Sequence, residues 1–193
     1  MRAYCEQCHY PINTCVCKHI KNISVPLNVI IIQHPKEATH AKNTARLVTM
    51  CIPSACVVLS DNADAMHTLA QSSCKQTTAL IYPSENSTAL EDLPRTQKQH
   101  YRTLILIDGS WKQAFGIVKR SPWLQTLPSY HFSNATPSQY AIRHTSLPHA
   151  LSTLEAAAHS ISCICQRDMS ALYDLQTAMQ EHWQGPISHR RKT

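Results

Sequence analysis

Apolar residues in this chain come in short, β-branched runs separated by polar stretches with helical spacing. The cleanest run, Leu104-Ile105-Leu106-Ile107, stops at Asp108-Gly109-Ser110, and a helical pattern opens at Trp111. A run without polar alternation reads as a strand buried on both faces, the mark of a parallel α/β sheet. Leu27 to Gln33, Cys56 to Leu59 and Ala79 to Tyr82 read the same way, the second as a short buried strand. The first ends at His34-Pro35-Lys36-Glu37. Helices are expected from about Ala41 to Met50, after Asp61 as cap with Ala65 and Leu69 inward, and from Trp111 to about Lys119. Ser84 to His100, polar and broken by Pro94, reads as a loop. Ser129 to Phe132 and Gln139 to Ile142 are further short strand candidates, with Arg143 at the end of the latter. Ser152-Thr153-Leu154-Glu155 fits a capping box, so a long helix opens there and ends near Arg167. A last helix follows from about Asp168 to Trp183 and is stopped by Gly185-Pro186. Strands alternating with helices place the chain in the α/β class, with a mostly parallel sheet flanked by helices.

At 193 residues the chain suits one main domain with a small appendage. The pattern divides it into a cysteine-rich arm over 1–24, a main domain over 25–185 and a basic tail over 186–193. A formal charge of +6 favours a polyanionic partner, although such charge also serves solubility. Met1-Arg2-Ala3-Tyr4-Cys5 does not resemble a signal peptide, and runs such as Val29-Ile30-Ile31-Ile32 are too short to span a bilayer. The reading is therefore a soluble, cytoplasmic protein with no membrane and no obligate protein partner. Only three glycines are present and none builds a phosphate loop, which argues against a nucleotide triphosphate or dinucleotide site.

Cys5, Cys8, Cys15 and Cys17 form a Cys-x-x-Cys followed by a Cys-x-Cys, with Pro11 and Asn13 favouring a turn between the pairs. Four thiolates so spaced can surround one tetrahedral ion, usually structural Zn²⁺; free thiols on a flexible arm are the alternative. Cys51, Cys56 and Cys74 have no ligand spacing and read as packing residues. Asp108 stands at the carboxyl end of a strand, where open α/β sheets bind ligands. It and Ser110 could equally just open the following helix. Taken alone, His34, Glu37 and Asn43 are ordinary turn and helix residues, and Trp123 fits either the core or a base-stacking role.

Several segments in this order resemble the DTW-domain family of transfer-RNA uridine aminocarboxypropyltransferases. They are the amino-terminal cysteines, His34-Pro35-Lys36-Glu37, Asn43-Thr44-Ala45-Arg46-Leu47, Asp108-Gly109-Ser110-Trp111, Tyr140-Ala141-Ile142-Arg143 and Leu151-Ser152-Thr153-Leu154-Glu155-Ala156. The family's naming motif, Asp-x-Thr-Trp, has Ser110 at its third position here, which keeps the hydroxyl. The resemblance implies S-adenosylmethionine as donor of a 3-amino-3-carboxypropyl group, placed on N3 of a tRNA uridine with release of 5'-methylthioadenosine. It also implies a SPOUT-like fold with a trefoil knot, which general topology rules would not suggest. Asp108 is the implied catalytic acid, able to accept the N3 proton or orient the ring. Arg143 and the backbone near Ser152 suit the donor's carboxylate, and Glu155 or Glu37 its amino group. His34, Asn43, Thr44, Ser110, Trp111 and Thr153 complete the expected donor site. Arg46, Lys112, Lys119, Arg120 and the tail are the expected phosphate contacts. Two other readings stand beside this one: a SPOUT-like tRNA methyltransferase, and a zinc-containing RNA-binding protein without catalysis.

Overall fold

The computed structural model describes residues 3–142 and 150–182. Its strands are β1 (Asn28–Gln33), β2 (Ala55–Leu59), β3 (Thr78–Ile81), β4 (Thr88–Ala89), β5 (Thr103–Asp108) and β6 (Ser129–His131). They form one sheet in the order β2-β1-β5-β3-β6-β4, and every neighbouring pair runs parallel. The helices are α1 (Pro35–Ala38), α2 (Ala45–Cys51), α3 (Ala63–Ser72), α4 (Arg95–Lys98), α5 (Trp111–Arg120), α6 (Thr153–Cys165) and α7 (Ser170–Glu181). Among the described residues no helix is long and apolar enough to cross a membrane.

Successive strand side chains point to opposite faces, so an unbroken apolar run feeds two cores at once. Val29, Ile31, Leu104, Leu106 and Ala79 join one core with α2, α6 and α7. Ile30, Ile32, Ile105, Ile107 and Leu80 join the other, with Met66 and Leu69 of α3 and Ile117 and Val118 of α5. The cysteine-rich arm is built into the first core, because Cys8, Tyr10 and Val16 are buried in it.

Several local expectations change. The polar stretch 84–100 contains β4 and α4 rather than a loop alone. Residues 139–142 form no strand. The Gln139 and Tyr140 N–H groups go to the Glu155 carboxylate and that of Ala141 to Gln180, which leaves no ladder to join. The cap of α3 is Asn62, one residue after Asp61, and its side chain accepts from Ala65 N. Helix α2 starts at Ala45 rather than Ala41, because the residues before it are held in turns. Strand β2 is an edge, so Cys56, Val57 and Leu59 are exposed rather than buried. Cys74 is also exposed, and of the three cysteines read as packing residues only Cys51 is buried. Arg143, Trp183, Gly185-Pro186 and the tail over 186–193 lie outside the described residues.

Away from the strand ends, Glu91 fastens the segment after β6 to α6. Its carboxylate accepts from Ser133 N, Asn134 N and His159 Nε2, at 3.2, 3.2 and 2.8 Å. Burial alone would raise its pKa. Its bonds to its own backbone, to His159, and to the Ser133 and Asn134 N–H groups outweigh that and hold it at about 2, against a usual 4.5. A folded-state pKa below the unfolded value contributes stability that is complete above the unfolded pKa and lost as pH falls. Wild type should therefore exceed Glu91→Gln in urea midpoint at pH 6, with the gap shrinking from pH 4.5 downward. A gap that does not change with pH would show that the anionic form of Glu91 is not what matters.

Candidate active site and metal centre

The carboxyl ends of β1 and β5 lie side by side, with Gln33 in register with Asp108. Each strand then turns into a helix. His34 caps α1 and its Nδ1 accepts from Lys36 N, while Ser110 caps α5 in a reciprocal capping box with Gln113. Gly109 keeps this turn close, since a Cβ there would lie 3.1 Å from Gln113 Cβ and 3.2 Å from Gln113 Oε1, so that the side chain closing the box would have to give way.

Asp108 is only 5% exposed, and both of its carboxylate oxygens are engaged. Gln33 Nε2 donates to Oδ2 at 2.7 Å and Thr153 Oγ1 to Oδ1 at 2.5 Å. Asp108 thus ties the ends of two central strands to the first residue of α6. Each oxygen keeps a second acceptor position, in a direction the other two bonds fix. Gln33 was not among the residues singled out by pattern; its signal was a polar residue closing an apolar run beside Asp108.

The segment between α1 and α2 closes on the same place. Asn43, buried, donates from Nδ2 to Glu37 O at 2.9 Å and accepts from Arg46 N. Glu37 is itself buried. Thr44 Oγ1 accepts from Leu154 N, in the first turn of α6. Lys42 Nζ donates to Ile142 O, and Tyr140 Oη donates to Lys42 O. His34, Glu37, Asn43, Thr44, Asp108, Ser110, Ser152, Thr153 and Glu155 are therefore brought to one edge of the sheet by four separate segments, and residues 138–140 join them through Glu155.

Glu155 is more committed than its pattern indicated. It completes the capping box with Ser152, and its carboxylate also accepts from Ser138 Oγ, Gln139 N, Tyr140 N and Gln176 Nε2. With Ser152 N that makes five donors, at 2.7 to 3.1 Å, around a side chain 2% exposed. Such a carboxylate, at a helix start and saturated with donors, holds a wall in place. Trp111 turns outward and is 49% exposed.

The four basic residues expected to meet phosphate do not gather. Lys112, Lys119 and Arg120 are exposed on α5, in the layer of the second core. Arg46 is half-buried in the opposite layer, its guanidinium carbon 5.4 Å from the centre of the Tyr10 ring in the cysteine-rich arm.

In that arm the ligand atoms of Cys5, Cys8, Cys15 and Cys17 all lie within 4.8 Å of one another. The Cys5–Cys17 and Cys8–Cys15 sulfurs are 3.6 Å apart. Four thiolates at zinc's usual bond length would stand about 3.8 Å from each other, so the donor set fits a tetrahedral ion. The turn of the first pair is tight, with His9 at φ 55° and His9 N donating to Cys5 O. Backbone N–H groups of Cys8 and Gln7 hold the Cys5 thiol down to about 6, as suits a thiolate ligand. Burial, with the neighbouring thiols, pushes Cys17 up.

A family model described as the DTW domain matches residues 2–184. Among curated proteins, the chain is 30% identical over 171 residues to tRNA-uridine aminocarboxypropyltransferase 2 of Mus musculus, an alignment covering 84% of this chain and 57% of that protein. It is 32% identical over 173 residues to the Drosophila melanogaster protein of the same name, covering 86% of this chain and 68% of the relative. The chain thus spans little more than half the length of the mouse relative. No solved structure matches it significantly.

Proposed function

This chain belongs to the DTW-domain family, and from that premise we propose that it transfers the 3-amino-3-carboxypropyl group of S-adenosylmethionine to N3 of a uridine in tRNA. One observation carries the reading. Residues from five separate segments, the same segments that carry the family's motifs, are tied by hydrogen bonds around Asp108 at the carboxyl edge of a parallel sheet. That edge is where such sheets bind small ligands.

The chemistry needed is a proton acceptor and strict positioning. Uridine N3 gives up its proton to Asp108, the N3–Cγ bond forms and the S–Cγ bond breaks. Its electron pair stays on sulfur, which leaves as the neutral thioether 5'-methylthioadenosine. The bonds from Gln33 and Thr153 fix the direction in which Asp108 can accept. The sulfonium carries three carbons, and the one facing N3 decides the product, so the walls around the donor matter as much as the acid. His34, Glu37, Asn43, Thr44, Ser110, Ser152 and Thr153 form those walls, and Arg143 is assigned to the donor's carboxylate. Glu155 serves by holding the 138–140 wall. Cys5, Cys8, Cys15 and Cys17 would hold a structural Zn²⁺ that takes no part in the transfer. The reading includes kinship with SPOUT enzymes, a trefoil knot and a cytoplasmic place of action.

The test is incubation of the protein with unmodified tRNA and S-adenosylmethionine, followed by nucleoside mass analysis. Aminocarboxypropyluridine together with methylthioadenosine is the expected outcome. A methylated nucleoside would replace this reading with a methyltransferase. Tight tRNA binding with no new nucleoside would replace it with a non-catalytic RNA-binding protein.

A further inference from the structure

Helix α5 exposes apolar residues on the side turned away from its core. Ala114, Ile117 and Val118 are buried, yet Trp111 and Phe115, one turn apart, are 49% and 60% exposed. A surface helix ordinarily places polar side chains there. The remaining exposed positions on this helix, Lys112, Lys119 and Arg120, are all cationic, and no acid occurs between Trp111 and Arg120. Spacings of four residues put Trp111, Phe115 and Lys119 in one stripe, and Lys112, Gly116 and Arg120 in the next. A Cβ at Gly116 would lie 3.1 Å from Arg120 Nη1, so the guanidinium lies back along the helix in space that glycine leaves open. The face starts at Trp111, three residues after Asp108, on a helix about 15 Å long that packs against the sheet through Ile117 and Val118.

We infer that this face is a stacking platform for unpaired nucleotides of an RNA loop, next to the uridine that enters the site. The inference rests on the proposed tRNA substrate and deepens it. Two exposed rings one turn apart offer π faces to successive bases, and the cations beside them suit the phosphates between those bases. A paired stem has no free base faces, so the platform selects single-stranded segments. Charge decides against a second copy of this chain as occupant. Two α5 faces packed together would bring six cations into one interface, with no acid on either helix to pair them. In this arrangement Trp111 serves the RNA and not the donor.

The inference is tested by fluorescence anisotropy at fixed salt, with an unmodified tRNA stem-loop and a fully paired RNA duplex as probes. Phe115→Ala, and separately Trp111→Ala, should each weaken stem-loop binding by roughly tenfold while leaving duplex binding unchanged. Phe115→Tyr should bind the loop like wild type, which separates stacking from a general disturbance of α5. Calorimetric binding of S-adenosylmethionine should be unchanged in all three. Equal losses on loop and duplex, or no loss on the loop, would overturn the platform. Loss of donor binding in Trp111→Ala would return that ring to the donor site. Sedimentation showing a wild-type dimer that Phe115→Ala dissociates would give the face to a second copy. Because binding is read without turnover, a failed transfer assay leaves this test intact. A protein that transfers the group yet binds the loop equally well without either ring refutes the platform alone.

Discussion

In a single-turnover assay with unmodified tRNA and saturating S-adenosylmethionine, Asp108→Asn is expected to slow transfer by about a hundredfold or more. The hydrogen bonds around Asp108 make asparagine a fair probe. Its amide oxygen can keep the bond from Gln33 Nε2, and its NH₂ can face Thr153 Oγ1, which accepts as readily as it donates. Thermal midpoint and donor binding should therefore stay close to wild type. Asp108→Leu is the contrasting variant. It leaves the buried Gln33 amide without an acceptor and should cost about 1–3 kcal/mol of stability. If Asp108→Asn transfers at a near wild-type rate, the acid only joins β1, β5 and α6. If it loses donor binding, its role lies in shaping the donor site.

Cys8→Ser is expected to abolish stoichiometric metal and to lower the thermal midpoint by on the order of 10 °C. Cys8 is fully buried and shares a core with Tyr10, Val16, Leu47 and Leu172. Losing the ion would loosen the packing of that core as well as the arm. Oxygen replaces sulfur as a poor fourth ligand, and the three remaining thiols no longer share a cation. Metal analysis of purified wild type should find about one zinc per chain. Cys74→Ser, at an exposed cysteine outside the cluster, should leave both quantities unchanged. Unchanged metal content in Cys8→Ser would refute the four-thiolate site.

Every strand among the described residues but β4 was legible in the sequence, most plainly those buried on both faces. β1 and β5 announce themselves because each apolar residue, whichever way it points, meets a core. The starts of α5 and α6 were legible too, since the Ser110 cap and the Ser152 capping box are local devices closed within four residues. β2 misled because its β-branched residues signal a strand but not an edge. β4 is two residues long and exists only through its pairing with β6, a partner far along the chain. The stretch Gln139 to Ile142 has strand-like side chains, but side chains from α6 and α7 take up its N–H groups first. The site follows the same rule. Asp108 was visible as a strand-end acid, whereas Gln33 became its partner through a strand register that no local pattern encodes. Glu155 was visible as the N3 partner of Ser152 in a capping box, but its grip on residues 138–140 required a fold to bring them within reach.

The strand order has a consequence for how this protein is made. β1 can pair with β2 early, but its other flank waits for β5, and β3 pairs only with β5 and β6, both later in the chain. A ribosome delivering the chain from its amino end therefore exposes the open edge of Val29–Ile32 for the several seconds needed to reach residue 103. Long-range parallel pairing of this kind is slow to form even once all partners are present. The nascent chain at that stage is a half-sheet with open flanks, the kind of surface that aggregates and that chaperones shield. Substitutions that make β1 stickier would thus reduce the yield of soluble protein before they touched the reaction.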